Sequence, residues 1–239
     1  MQRKRWKQRH TDSRQNILPE EGTEKMNTKE RIVETAVRLF NERGTGAVST
    51  NHIAQALSMS PGNLYYHFRN KEEIIRAILE RMMTRWEKLY AAPPRARAST
   101  VADVEQVVTE NFLLLWEYRF FYRELNALVQ RDPVLRERYK HIRQERLGNL
   151  ETLLRQLGNA PSLRASASVT NLARLCWLIG DYWLPFLEIE GELILSEVIE
   201  QGMALYMQAL RPYMDDTETA QAEYASETHS LSEEEHHRV

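Results

Sequence analysis

The 239-residue sequence predicts an all-α protein, a three-helix head joined to a larger helical domain. Three observations carry this. Apolar residues recur with a period near 3.6 along most of the chain, and no stretch alternates with a period of two. Cap residues, glycines and prolines stand at the seams between the periodic runs. Two of those seams, at Ser49 and Ser60, are close enough that the helices they open must be short.

Taken in order, Met1 to Lys25 carries RKRWKQRH and then polar residues with Pro19 and Gly22, without helical periodicity, and is expected to be disordered. It reads either as a basic arm able to reach a groove or as a leader foreign to the natural protein, because Met26-Asn27-Thr28-Lys29-Glu30 looks like a fresh start. It lacks the apolar core of a secretory signal. Asn27 and Glu30 form a capping box for a first helix, Lys29 to Arg43. Ile32, Val33, Ala36, Val37, Leu39 and Phe40 make its stripe, and Gly44 ends it at C′. Ser49 caps a second helix with Ile53, Ala54 and Leu57 on one face. Ser58-Met59-Ser60 is a tight turn. Ser60 then caps a third helix with Pro61 at its first position, where a missing N–H costs nothing. Leu64 and Phe68 point inward, four apart. Asn70 caps a long helix, with Glu73 at the box position and a stripe from Ile74 to Leu89. Ala91-Ala92-Pro93-Pro94 breaks it, and Arg95 to Ser99 is a loop.

The second half is read the same way. Thr100 and Asp103 box a helix that runs to about Arg119, and Phe120 to Gln130 forms a shorter one. Asp132-Pro133 restarts a helix that Gly158 stops after Leu157. Pro161-Ser162 opens the next, which Pro185 kinks or ends. Ser196 caps the last helix, Pro212 closes it, and Asp215 to Val239 is acidic and expected to be disordered. The domain expectation is therefore an N-terminal segment 1–26, a head 27–73, a helical body 74–213 and a tail 214–239.

The informative stretch is Ser49 to Phe68, STNHIAQALSMSPGNLYYHF. Two short helices with a tight turn make a helix-turn-helix, and the second helix carries Asn63, Tyr65, Tyr66 and His67 away from Leu64 and Phe68. Free N–H groups at its start favour phosphate. Gly62 permits close backbone approach, Asn63 can pair with adenine, and Tyr65, Tyr66, His67 and Lys71 can hold phosphates. The bland alternative is a buried aromatic cluster in a helical hairpin, against which stand four polar-tipped residues on one short helix.

These residues resemble a known family. Thr28 to about Tyr90 is similar to the DNA-binding domain of TetR-type transcriptional regulators, through IVETAVRLFNERG, Thr50, IAQAL, PGNLYYHF and Asn70-Lys71-Glu72. The resemblance implies that Thr50, Tyr65, Tyr66, His67 and Lys71 contact phosphate, and that Asn51, Pro61, Gly62 and Asn63 face bases. A weaker likeness, in SPGNLYYHF and YRFFYREL, points to the polyhydroxyalkanoate-regulator subgroup. The family also implies a pocket whose ligand moves the two heads of a dimer, and the expectation is a homodimeric repressor on a near-palindromic double-stranded operator, cytoplasmic as the lone cysteine suits, and released by a small, largely apolar effector. The competing expectation is a DNA-bound adaptor that works through a protein partner.

Charge distribution agrees with a DNA-binding head. Residues 1–90 hold 17 Lys and Arg against 11 Asp and Glu, whereas residues 91–239 hold 15 against 23. The single cysteine, Cys176, lies in an apolar run and is either a buried thiol or a redox sensor, and no disulfide can form within the chain. No apolar run is long enough to span a membrane, so no membrane partner is expected. No nucleophile elbow, HExxH or phosphate loop occurs, so neither an enzyme nor a cofactor is expected. No metal is expected either, because His141 and Glu145 read as a helix-surface ion pair before they read as ligands.

Aromatic residues crowd the second domain. They read either as plain core or as the wall of an apolar pocket, the latter with Trp86, Phe112, Trp116, Phe121, Tyr122 and Trp177 as its candidates. The last two long helices are apolar over more of their circumference than one core contact needs. Leu172, Leu175, Ile179 and Trp183 on one, and Val198, Ile199, Leu205, Tyr206 and Leu210 on the other, are the expected dimer interface, an isologous four-helix bundle.

Overall fold

The structure, a computed structural model, describes residues 27–90, 101–157, 166–191 and 193–211. Among them are nine helices and no strand: α1 Thr28–Ala47, α2 Thr50–Ala56, α3 Pro61–His67, α4 Lys71–Tyr90, α5 Val101–Glu117, α6 Arg119–Arg131, α7 Pro133–Leu157, α8 Ser166–Glu188 and α9 Leu195–Leu210. Expectations for residues 1–26, 91–100, 158–165 and 212–239 lie outside the described residues.

The head forms where the caps put it. Asn27 and Glu30 close their box at 2.9 Å in both directions. Gly44 breaks α1 with a φ of 75°, a conformation that a Cβ penalises. Ser49 and Ser60 each accept an N–H from three residues on, His52 and Asn63. Asn70 does the same for Glu73. Ile32, Phe40, Ile53, Leu64, Phe68, Ile74 and Ile78 fill the space between α1 and α2 to α4.

The long α4 carries the core onward into the body through Leu79, Met82 and Trp86. α8 is the central helix there, packed on α5, α6, α7 and α9. Asp132 caps α7, its Oδ1 accepting from Val134 and Leu135, while its Oδ2 takes Arg76 of α4 at 2.7 Å. Of the two alternatives for Pro185, ending the helix is excluded, because α8 continues to Glu188. One boundary expectation is corrected. Ser196 does not cap α9: Ile194 occupies the N-cap without a side-chain bond, and Ser196 lies in the first turn.

The head and body are tied by polar groups as well as by α4. Asn41 of α1 donates to the Glu117 carbonyl at 2.7 Å and accepts from the Phe120 N–H at 3.1 Å. Glu124 of α6 takes both the N–H and the hydroxyl of buried Thr45. The Phe40 and Phe120 rings meet between these two ties, 5.1 Å apart.

Candidate nucleic-acid interface and internal cavity

The outer face of the helix-turn-helix is built by a short set of constraints. Leu57 to Ser60 turns the chain with Ser58 at a φ of 54°, and the Met59 N–H bonds back to the Ala54 carbonyl at 3.0 Å. Burying Leu64 and Phe68 four residues apart forces the intervening side chains of α3 outward. Pro61, Gly62, Asn63, Tyr65 and Tyr66 are all exposed, Tyr66 to 85%. His67 is half-buried and meets the Tyr66 ring edge-on at 5.2 Å.

Asn51 is exposed beside them, and Thr50 is joined to Tyr65 by a 3.3 Å hydroxyl pair that fixes α2 against α3. Lys71 sits differently. Its ammonium donates to the carbonyls of Thr45 and Val48, so it caps the end of α1 while bordering the same surface. His52 is a residue that sequence reasoning missed. Its Nδ1 accepts the Ser49 N–H at 3.3 Å, taking the place that Glu or Gln fills in a capping box. A polar residue three after a serine was the available signal.

The body holds a cavity of about 370 Å³, partly open to solvent, between α4, α5, α7, α8 and α9. Its walls are mainly apolar, with Met83, Val108, Leu115, Ile142 and Leu154 among them. Of the six candidate wall residues, Trp86 and Trp177 line it. The other four do not. Phe112 is fully buried against Gly202 and the Tyr206 ring. Phe121 packs on Phe120 and Tyr139, and Tyr122 stands edge-on behind Trp86 at 6.4 Å. Trp116 lies half-buried under the Arg119 guanidinium. Phe121 and Tyr122 are taken up by the packing of α6 under α8, Phe112 by the contact of α5 with α9, and Trp116 stays half-buried beside Arg119.

The polar contacts in and beside the cavity were not read from sequence, and Asn111, Tyr139 and Asp181 had no assigned part. The Trp86 indole donates to Asn111 at 3.1 Å, and the Tyr206 hydroxyl donates to the Cys176 carbonyl at 2.6 Å. The Tyr139 hydroxyl donates to buried Asp181 at 2.6 Å. Burial pushes the Asp181 carboxyl up to about 6, against the pull of Tyr139 and Arg146. Cys176 is fully buried, and burial pushes its thiol up to about 12, so it is inert as a nucleophile near neutrality. His141 and Glu145 are exposed on α7 with no ion pair between them, and no group of three metal-ligating side chains forms among the described residues.

The nine interface candidates divide. Leu175 and Leu205 are exposed, and Ile179, Trp183 and Ile199 are half-buried. Leu172, Val198, Tyr206 and Leu210 face the protein's own core, because α5 and α7 cover that side of α8 and α9. The exposed stripe of α8 is instead Leu175, Leu178, Tyr182 and Phe186. No described helix is long and apolar enough to cross a membrane.

Comparison with known proteins agrees with this architecture. The profile described as "TetR: Bacterial transcriptional repressor" matches residues 71–222, and "Bacterial regulatory proteins, tetR family" matches residues 32–78. The transcriptional regulator QacR of Staphylococcus aureus is 38% identical over 105 residues, 44% of this chain and 54% of its own. The chain thus spans about half the length of the curated relatives it matches. A TetR-family regulator from Marinobacter aquaeolei is 31% identical, with a TM-score of 0.71 over 80% of this chain and 93% of that one. AibR, solved with isovaleryl coenzyme A and operator DNA, is 22% identical with a TM-score of 0.58 over 74% and 96% of the two chains, a likeness of fold alone. A helix-turn-helix head on a helical body, matched by both profiles, places this chain in the TetR family of bacterial DNA-binding transcriptional regulators, which are not enzymes.

Proposed function

We propose that this protein is a homodimeric repressor whose α3 helices read a near-palindromic operator and which a small, largely apolar ligand releases. The carrying observation is the pairing of an exposed polar and aromatic α3 with an apolar-walled cavity in the body. Asn63 faces bases, with Asn51, Pro61 and Gly62 beside it. Thr50, Tyr65, Tyr66 and His67 hold phosphates, and Lys71 sets the corner between α1 and α4 that carries them. Gly62 supports this assignment: a Cβ there would meet nothing within 4 Å in the free protein, so the fold itself does not require glycine. AibR, a neighbour in fold solved with isovaleryl coenzyme A and operator DNA, supports reading the cavity as an effector site. The cavity's existence favours a ligand over a protein-only adaptor.

Two heads must sit about one DNA turn apart, roughly 34–36 Å, for both half-sites to be read. The uncovered stripe of Leu178, Tyr182 and Phe186 on α8 is the surface that would hold them there, continued on α9 by Leu205. Leu178→Glu tests this. Light scattering should show a dimer for the parent and a monomer for the variant, with operator affinity lost although the head still melts cooperatively. A parent that is monomeric at micromolar concentration, or a variant that stays dimeric, rules the assignment out.

A further inference from the structure

The chemistry of the cavity points to the charge of its ligand, an inference that rests on the effector-site reading above. Asp181 is 7% exposed, and its Oδ2 accepts from the Tyr139 hydroxyl at 2.6 Å. No guanidinium or ammonium forms an ion pair with it among the described residues. The Arg146 guanidinium lies 3.8 Å from the centroid of the Trp86 ring and 5.1 Å from that of Trp177. Arg146 is half-buried, and among the described residues it too has no ion-pair partner. The other cation at the cavity, Arg138, is held by Glu80 through two bonds of 2.7 Å. Glu87 and Glu145 add two exposed carboxylates to the lining.

We propose that the cavity takes a hydrophobic cation, whose charged head replaces the Arg146 guanidinium on the faces of Trp86 and Trp177, with Asp181 as counter-charge. The empty protein already demonstrates that a cation fits against these two indoles, because Arg146 provides one. On swinging into water Arg146 breaks no ion pair among the described residues, and its ring contacts and its attraction to Asp181 are taken over by the charged head that replaces it. With its side chain gone, the lining holds Asp181, Glu87 and Glu145 against a single arginine whose charge Glu80 already matches. An anion has the opposite situation. It would pair with Arg146 over the electron-rich ring faces and beside a buried carboxylate, both of which repel it. The apolar remainder of the ligand fills the space between Val108, Leu115, Ile142 and Leu154.

Three probes built on one phenylbutyl chain test the charge: 4-phenylbutyltrimethylammonium, its neutral tert-butyl isostere, and 5-phenylvalerate. Binding to the full chain is measured by calorimetry and by quenching of tryptophan fluorescence. The cation should bind at least tenfold tighter than the isostere, and 5-phenylvalerate weakest. Asp181→Asn should erase the advantage of the cation while leaving the isostere unchanged. Arg146→Ala, on the half-exposed side and without risk to the core, should tighten the cation several-fold. The proposal is overturned if 5-phenylvalerate binds best and Arg146→Ala abolishes it, or if the cation's preference survives Asp181→Asn. In either case a ligand still enters the cavity and the effector-site reading stands. If none of the probes binds and none releases DNA, both fail together.

Discussion

Two glycine-to-alanine changes should move stability in opposite directions, and the structure sets both signs. Gly202 lies in α9, directly against the Phe112 ring of α5. A Cβ there would stand 2.4 Å from Cζ and 2.8 and 2.9 Å from the two Cε atoms. Carbon atoms rest about 3.5–4.0 Å apart, so the ring or the helix must shift by about 1 Å. The ring cannot yield easily, since Phe112 is fully buried and the Tyr206 ring abuts it edge-on at 5.9 Å. α9 must therefore move away from α5. Overpacking of this kind costs about 1–3 kcal/mol, and the better helix propensity of alanine returns up to about 1 kcal/mol. A net loss of about 1–2 kcal/mol corresponds to a fall in Tm of roughly 2–8 °C for a chain of this size. Gly148 in α7 is exposed, and a Cβ there meets nothing within 4 Å. Gly148→Ala keeps only the helix gain, about 0.5–1 kcal/mol and a Tm higher by roughly 1–4 °C. Thermal unfolding followed by circular dichroism decides. A Gly202→Ala protein that melts with or above the parent would refute the packing of α9 on α5.

Other consequences can be checked independently. Tyr66→Ala should weaken binding to every DNA sequence and flatten the salt dependence, whereas Asn63→Ala should relax preference at one base position by about 1–3 kcal/mol in a binding-site selection; an unchanged preference would remove Asn63 from base contact. Glu124→Ala should cost about 1–3 kcal/mol in urea unfolding, because the buried N–H and hydroxyl of Thr45 lose their acceptor; no loss would mean that the Asn41–Phe120 hydrogen bond and the Phe40–Phe120 contact hold α1 to α6 without it. Asp181 ionises near 3.8 when unfolded but near 6 in the fold, so its contribution to stability is full below 3.8 and is lost as pH rises through 6. Asp181→Asn should therefore melt higher than the parent at neutral pH, by up to about 3 kcal/mol, with the gap closing below about pH 4; a gap independent of pH would mean that the carboxyl is not buried as described.

Local signals determined the head. Asn27, Ser49, Ser60 and Asn70 each cap within three residues of themselves, and the short spacing of Leu64 and Phe68 leaves only one face for Asn63 and Tyr66. That is why the exposed face of α3, the turn and the family were all legible in the amino-acid sequence. Lys71 marks the edge of this legibility, because its carbonyl partners at Thr45 and Val48 come from a seam 26 and 23 residues away.

In the body, periodicity specifies the helices and not their phase. It gives α8 and α9 broad apolar circumferences, but both Tyr182 and Tyr206 satisfy it. Only the placement of α5 and α7 turned Tyr206 inward onto the Cys176 carbonyl and left Tyr182 to solvent. The aromatic residues behave likewise. Phe112 and Trp86 are both buried apolar rings, yet Gly202 removes all space around the first while the second faces a cavity. The polar side of that cavity was invisible for the same reason. Asp181, Tyr139, Arg146 and Trp86 lie on three helices far apart in the chain, and nothing local to any of them records the others. A helix carries its caps in its own sequence, whereas which neighbour covers which face is a property of the whole packed chain.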